Sequence, residues 1–156
     1  MSGIVEIAVV AAALGYVVVS QVRGQALRAK RLVVLPVVLI VIGLAGLHGM
    51  TGVGSADIAC ITLSALIAAT IGFAQGAVTR LQSHNGTLWG WLPVWGLWLW
   101  VALIVSRVAM MATAHAIGAD AAASLDSVLV VLGINRLAQA GVIASRASRA
   151  GLPLAP

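Results

Sequence analysis

The sequence predicts an all-α integral membrane protein, a bundle of five transmembrane helices with the N-terminus outside and the C-terminus in the cytoplasm. Of the 156 residues, 62% are hydrophobic and only 8% are charged. A soluble domain carries about 25% charged residues, so this composition excludes an ordinary soluble fold. Five apolar stretches are each long enough to cross the ~30 Å hydrocarbon layer as a helix.

The first three spans are predicted at residues 3–22, 32–49 and 58–77. Pro36 falls in the first turns of the second span, where its missing N–H costs little. The loop at residues 23–31 holds four of the nine basic residues. We therefore expect this loop to lie in the cytoplasm.

The longest polar connection follows the third span, at residues 78–88. Its Asn85-Gly86 pair predicts a tight turn because both residues tolerate a positive φ. A short β-hairpin within residues 78–91 is one interpretation, with arms at 79–82 and 87–91. An open loop is equally compatible with so short a stretch.

The fourth span is predicted within residues 88–117, which begin with all five tryptophans: Trp89, Trp91, Trp95, Trp98 and Trp100. Such an indole cluster is typical of a membrane interface. After a turn at residues 118–120, residues 121–143 form a more polar fifth span. Residues 1–150 are expected to form a single transmembrane domain, and residues 151–156 a frayed tail.

The distribution of loop charges gives the orientation. With the N-terminus outside, the loop at residues 23–31 and three further arginines fall in the cytoplasm: Arg80, Arg146 and Arg149. Three acidic residues fall on the opposite side: Glu6, Asp57 and Asp120. The formal net charge of +5 is divided among short loops and spans, so no face gathers it for nucleic acid. The expected partners are membrane lipids, and also another membrane protein or a second copy of the chain.

Two charges lie within the spans that flank Gly118. Arg107 precedes this residue by eleven positions, and Asp126 follows it by eight. If the two spans are antiparallel neighbours, both side chains reach a similar depth, and pairing would lower the desolvation cost of each. A structural ion pair is the first interpretation. The second makes Arg107 the anchor of a ligand, either an anionic head group or a quinone carbonyl.

The fifth span carries three further polar residues, Asn135, Arg136 and Gln139. With Arg107 and Asp126 they could line a path through the membrane. However, at 100° per residue Asn135 falls on the face opposite Asp126, with Arg136 between them. This spacing argues against one continuous path, and Arg136 can reach the cytoplasmic interface through its long stem.

Soft metal-ligand residues are predicted at the outer end of the bundle, namely His48, Met50, Cys60, Met111 and His115. Imidazole, thioether and thiolate bind Cu(I), and His/His or His/Met pairs bind haem iron. No CxxC or CxxCH motif is present. Because methionine commonly fills gaps in cores, packing is the favoured interpretation over a haem or copper site.

Acid–base catalysis is not expected, since the chain has only four acidic residues. No Ser/His/Asp or paired-carboxylate arrangement is apparent either. A non-enzymatic protein is therefore predicted.

Several stretches together resemble the CcdC-like family of small polytopic bacterial membrane proteins. They are RGQALRAKRLVVLP (residues 23–36), TRLQSHNGTLW (79–89), IVSRVAMM (104–111) and INRLAQAGV (134–142). Where that family has a more basic stretch between the third and fourth spans, this chain has one arginine and many tryptophans. The resemblance implies an accessory protein of the bacterial cytoplasmic membrane and supplies no mechanism.

The leading hypothesis is accordingly a binding or accessory protein with an outward-facing polar pocket around Arg107 and Asp126. Its ligand would be a lipid, a quinone or a redox partner. The alternatives are a small transporter or channel, with polar residues of the fourth and fifth spans lining the path, and a haem- or copper-binding membrane protein.

Overall fold

The computed structural model describes residues 8, 12, 15, 16, 19, 23, 25, 26, 29–84 and 87–151. These contain four long helices, listed here in chain order: α1 Ala29–Gly49, α2 Ser55–Val78, α3 Leu97–Ala116 and α4 Leu125–Arg149. All four are long and apolar enough to cross a membrane. The predicted character of a multi-pass helical membrane protein is therefore confirmed.

These helices correspond to the second to fifth predicted spans. The first predicted span, residues 3–22, lies mostly outside the described residues, although the five that are described within it are helical. A fifth spanning helix stays a prediction for that reason. The orientation of the termini also stays a prediction.

Two helices begin later than the sequence indicated. Residues 88–91 were assigned to the fourth span but lie in a strand, and a short 3₁₀ turn, Val94–Gly96, precedes α3. Residues 121–124 form a turn, and α4 begins after Ser124, whose Oγ accepts a hydrogen bond from the N–H of Ser127 at 3.3 Å. This is an ordinary N-cap. The helix ends just before Gly151, which has a φ of +64°.

A small antiparallel sheet is formed by a hairpin between α2 and α3 and by a short strand that precedes α1. Its strands are β1 Gln25–Ala26, β2 Arg80–His84 and β3 Thr87–Trp91, in the spatial order β1-β3-β2. The hairpin interpretation is confirmed, while Asn85 and Gly86 at its turn lie outside the described residues. β1 was not anticipated, because two residues are too few to show an alternating pattern.

Helix α4 is the centre of the bundle and packs against both α1 and α2. It runs antiparallel to α1, since Gly43 lies against Val130 and Gly133 lies against Pro36. A Cβ at Gly133 would come within 2.8 Å of the Pro36 carbonyl oxygen. Small residues allow this approach of two backbones, as is common between membrane helices.

The bundle has two distinct ends. α1 and α3 run towards the end that holds the connections at residues 50–54 and 117–124, which we call the turn end. α2 and α4 run together towards the opposite end, where the sheet lies, which we call the sheet end.

Large apolar side chains cover the outside of the bundle, while polar residues lie inside it. The buried polar residues are Asp57, Ser64, Gln75, Thr79, Ser127, Asn135 and Gln139. Exposed large apolar residues include Val34, Val41, Leu66, Val105 and Val108. A surface of this kind suits contact with lipid, in agreement with the membrane assignment.

Candidate functional site

The guanidinium of Arg107 reaches from α3 to the connection at the turn end. Its Nη2 donates to the carbonyl oxygens of Ala122 at 3.1 Å and Ser124 at 3.4 Å, and also to Ser127 Oγ. Ser127 is completely buried in the first turn of α4. The charge of Arg107 is thus stabilised by neutral oxygens rather than by a carboxylate.

The predicted ion pair between Arg107 and Asp126 is wrong. Among the described residues, the salt bridge that forms joins His115 Nδ1 to Asp120 Oδ1 at 3.8 Å, with both side chains exposed. The carboxylate of Asp126 instead lies directly against Gly46 of α1. Neighbouring helical positions differ by about 100° in direction, so Ser127 faces α3 when Asp126 faces α1.

A small recess lies beside Arg107, between α2, α3 and α4. It has a volume of about 10 Å³ and is lined by Ser64, Ile67, Leu103, Ser106, Arg107, Met110 and Val131. This is room for about one water molecule. The Nε of Arg107 is buried and has no hydrogen-bond partner. Asp126 does not line this recess, so Arg107 and Asp126 do not share it.

Asp57 is a second polar centre at the turn end, and the sequence reasoning treated it only as a loop charge. It lies in the first turn of α2 with 5% of its surface exposed. Its Oδ2 accepts from the Gly54 N–H and its Oδ1 from the Ala122 N–H, both at 2.9 Å. Asp57 therefore joins the two connections. Asp57 lies three residues after Gly54, the N-cap of α2, and this spacing could have predicted its hydrogen bond to the Gly54 N–H.

The three secondary polar residues of α4 face two different neighbours. Asn135 is completely buried, and its Nδ2 donates to the Ala68 carbonyl of α2 at 2.9 Å. Arg136 Nη1 donates to Gln139 Oε1 at 2.8 Å, and its Cζ lies 4.9 Å from the centre of the Trp100 ring on α3. This is a cation–π geometry. The predicted set therefore does not line one path between α3 and α4.

Gln75 of α2 was missed by the sequence reasoning. It is completely buried, and neither its Nε2 nor its Oε1 has a hydrogen-bond partner. The Oδ1 of Asn135 is also buried without a partner. Buried polar groups are nearly always hydrogen-bonded, so these three atoms are exceptions within the bundle.

The soft-ligand candidates are distributed over three helices and a turn. His48, Met50 and His115 are exposed. Cys60 packs beside the alanines at the turn end, and Met111 is half-buried. No group of three or more His, Cys, Asp or Glu residues suited to a metal is found in the described part of the chain. A haem or copper site gains no support from this arrangement.

Comparison with family models, with curated proteins and with solved structures finds no match for this chain. The resemblance to the CcdC-like family therefore stays a prediction.

Proposed function

We propose that this chain is a non-enzymatic binding or accessory protein of the bacterial cytoplasmic membrane that holds an apolar molecule at Arg107. The ligand would carry a hydrogen-bond acceptor, as a lipid ester or a quinone does. The observation that supports this proposal is the buried Nε of Arg107, a donor without a hydrogen-bond partner on a residue that lines a recess.

The size of the recess limits which part of a ligand can enter. About 10 Å³ accommodates one oxygen atom and not a ring. The rest of the ligand would remain between α2 and α3, in contact with lipid. Ile67, Ser106 and Met110 are only partly buried and form the mouth, whereas Ser64 and Leu103 are buried and form the inner wall.

The chemistry of Arg107 favours an acceptor oxygen. Its Nη2 is engaged by three oxygens, and its Nε–H is a buried donor without a partner that a ligand oxygen could accept. A hydrogen bond from a charged donor is about twice as strong as a neutral one. A carbonyl oxygen placed there would satisfy the donor without bringing a second charge into the membrane.

A substitution at the mouth of the recess tests the proposal without removing Arg107. Ser106→Val should fill the space and weaken the binding of an acceptor-bearing ligand at least about tenfold, or about 1.4 kcal/mol. The probes are a short-chain ubiquinone analogue and dioleoylglycerol, titrated calorimetrically into the detergent-solubilised protein. Circular dichroism verifies that each variant is folded.

Ser145→Val is the matched control. The hydroxyls of Ser106 and Ser145 each donate to the carbonyl three residues earlier, Leu103 and Val142. Ser145 is far from the recess, so its variant should bind as the wild type does. If neither probe binds the wild type, or if both serine variants behave alike, the proposal fails.

A small transporter or channel is the second candidate function. It is favoured by the buried side-chain amide of Gln75 and the buried Oδ1 of Asn135, which have no hydrogen-bond partner, although the Nδ2 of Asn135 donates to the Ala68 carbonyl. A path using them would follow the interface of α2 and α4 rather than that of α3 and α4. Flux of water, protons and alkali cations into proteoliposomes tests this. Gln75→Leu should abolish the flux, and absence of flux in the wild type excludes the candidate.

A further inference from the structure

The sheet presents a basic and aromatic face at the sheet end. In the antiparallel register Arg80 lies opposite Trp91, and Gln82 lies opposite Trp89. Residues opposite each other project from the same side of a sheet. We call these four residues the Arg80–Trp face.

The Arg80–Trp face points away from the bundle. Arg80 and Gln82 are exposed, Trp89 is 39% exposed, and Trp91 is half-buried. The alternate positions of β3, Leu88 and Gly90, are buried. One side of the sheet therefore packs on the helices, and the other side is available to surrounding molecules.

Positive charge surrounds this face. Among the residues whose exposure is described, Arg23, Lys30 and Arg149 are further exposed basic residues of this end. Within the described part of the chain, the acidic residues Asp57, Asp120 and Asp126 are all at the turn end. The sheet end is complementary to an anionic partner.

Tryptophans place the same end at a membrane surface. Trp95 is 59% exposed and Trp98 is 74% exposed, and both lie at or just before the start of α3. Exposed indoles collect where the hydrocarbon meets the headgroups. Lipid phosphates lie at this level, and an arginine can bind a phosphate through two parallel hydrogen bonds.

We propose that the Arg80–Trp face binds the headgroup of an anionic phospholipid. Arg80 binds the phosphate, and the rings of Trp89 and Trp91 pack against the glycerol region. This site is at the opposite end of the bundle from the recess at Arg107. The inference is therefore independent of the proposed function.

Lipid binding to the purified full chain in detergent tests the inference. Native mass spectrometry would compare phosphatidylglycerol with phosphatidylcholine of the same acyl chains. The wild type should prefer phosphatidylglycerol. A basic residue at an anionic surface contributes about 1 kcal/mol, so Arg80→Gln should reduce this preference about fivefold. Arg80→Lys should keep most of it.

Arg149→Gln is the control, because it removes the same charge from the same end but outside the sheet. It should reduce the preference less than Arg80→Gln does. An equal loss in both variants would show diffuse attraction without a site and would overturn the proposal. So would equal binding of the two lipids, or displacement of the lipid by an excess of inorganic phosphate.

Discussion

Arg107 at the turn end and Arg146 at the sheet end make the same kind of contact. Each donates from one terminal nitrogen to three oxygens. For Arg146 these are the carbonyl oxygens of Gly76, Ala77 and Thr79, at 2.7, 2.9 and 2.8 Å. They belong to the end of α2, where carbonyls lack intrahelical partners.

The surroundings of the two arginines differ. Both side chains are partly exposed, but Arg146 lies in the last turn of α4, at the end of a span, where water can replace its hydrogen bonds. Arg107 lies inside a span, and its acceptors are two carbonyls of the connection at residues 117–124, which Asp57 also binds, and the hydroxyl of the buried Ser127. Lipid cannot replace the hydrogen bonds that Arg107 makes, whereas water can replace those of Arg146. We therefore expect substitutions to cost more at the turn end.

The largest effect is expected from Asp57→Ala. This change leaves the N–H groups of Gly54 and Ala122 without their acceptor, and both bonds are to a charged oxygen. Hydrogen bonds to charged groups contribute about twice as much as neutral ones. Thermal unfolding in detergent should show the largest loss of the series, with Asp57→Asn intermediate. Asp120→Ala, at an exposed carboxylate, should have little effect. If Asp57→Ala loses less stability than Arg146→Gln, substitutions at the turn end do not cost more than those at the sheet end.

Gly133→Ala is expected to cause the second-largest loss of stability. It lies in the contact between α1 and α4, which runs between the two ends of the bundle. The added Cβ would meet the Pro36 carbonyl oxygen and Ile40. Overpacking of this kind costs about 2 kcal/mol, measured as the free energy of unfolding in mixed micelles. Gly141→Ala on the same helix meets no atom within 4 Å. It should be neutral or stabilise by up to about 1 kcal/mol. If the two glycine variants lose equal stability, the close approach of α1 and α4 at Gly133 does not contribute to stability.

A smaller effect is expected from Arg146→Gln, about 1 kcal/mol, because water can reach the carbonyls that the side chain leaves. Arg146→Lys should recover part of the loss through its attraction to the helix C-terminus. The same unfolding measurement applies, with Arg149→Gln as the control for charge. A loss of more than about 3 kcal/mol would mean that the sheet end is as tightly closed as the turn end.

The smallest expected effect is the coupling free energy between Arg107 and Asp126. Breaking a buried ion pair costs about 3–5 kcal/mol, but these side chains contact different helices. A double-mutant cycle with Arg107→Leu and Asp126→Leu should give less than about 1 kcal/mol. A larger coupling would restore the ion pair that the sequence suggested.

Hydropathy predicted the spans because composition alone decides whether a helix suits lipid. It failed at residues 88–91, since Leu, Trp and Gly are as compatible with a strand as with the start of a helix. Pairing with β2 decided the outcome. A sequence shows the Asn85-Gly86 turn signal and does not show which apolar residues will pair.

The sequence predicted how deep in the bundle the site residues lie, but not which neighbouring helix each of them faces. Spacing from Gly118 placed Arg107 and Asp126 at one level, yet the rotation of α4 determines which residue faces α3. That rotation follows from the close packing of Gly46 and Gly133. Gln75 gave no signal because one amide in an apolar helix is unremarkable until its burial is known.

The order of the strands has a consequence for biosynthesis. β3 is the last strand to be synthesised, although it lies between the other two. β1 pairs only with β3 in the described chain. Residues 25 and 26 therefore have no strand to pair with until residues 89 and 90 have been synthesised. By then α1 and α2 have both been synthesised. The hairpin of α1 and α2 is therefore complete in the chain before the sheet can form, and the sheet can only join residues 25 and 26 to it afterwards.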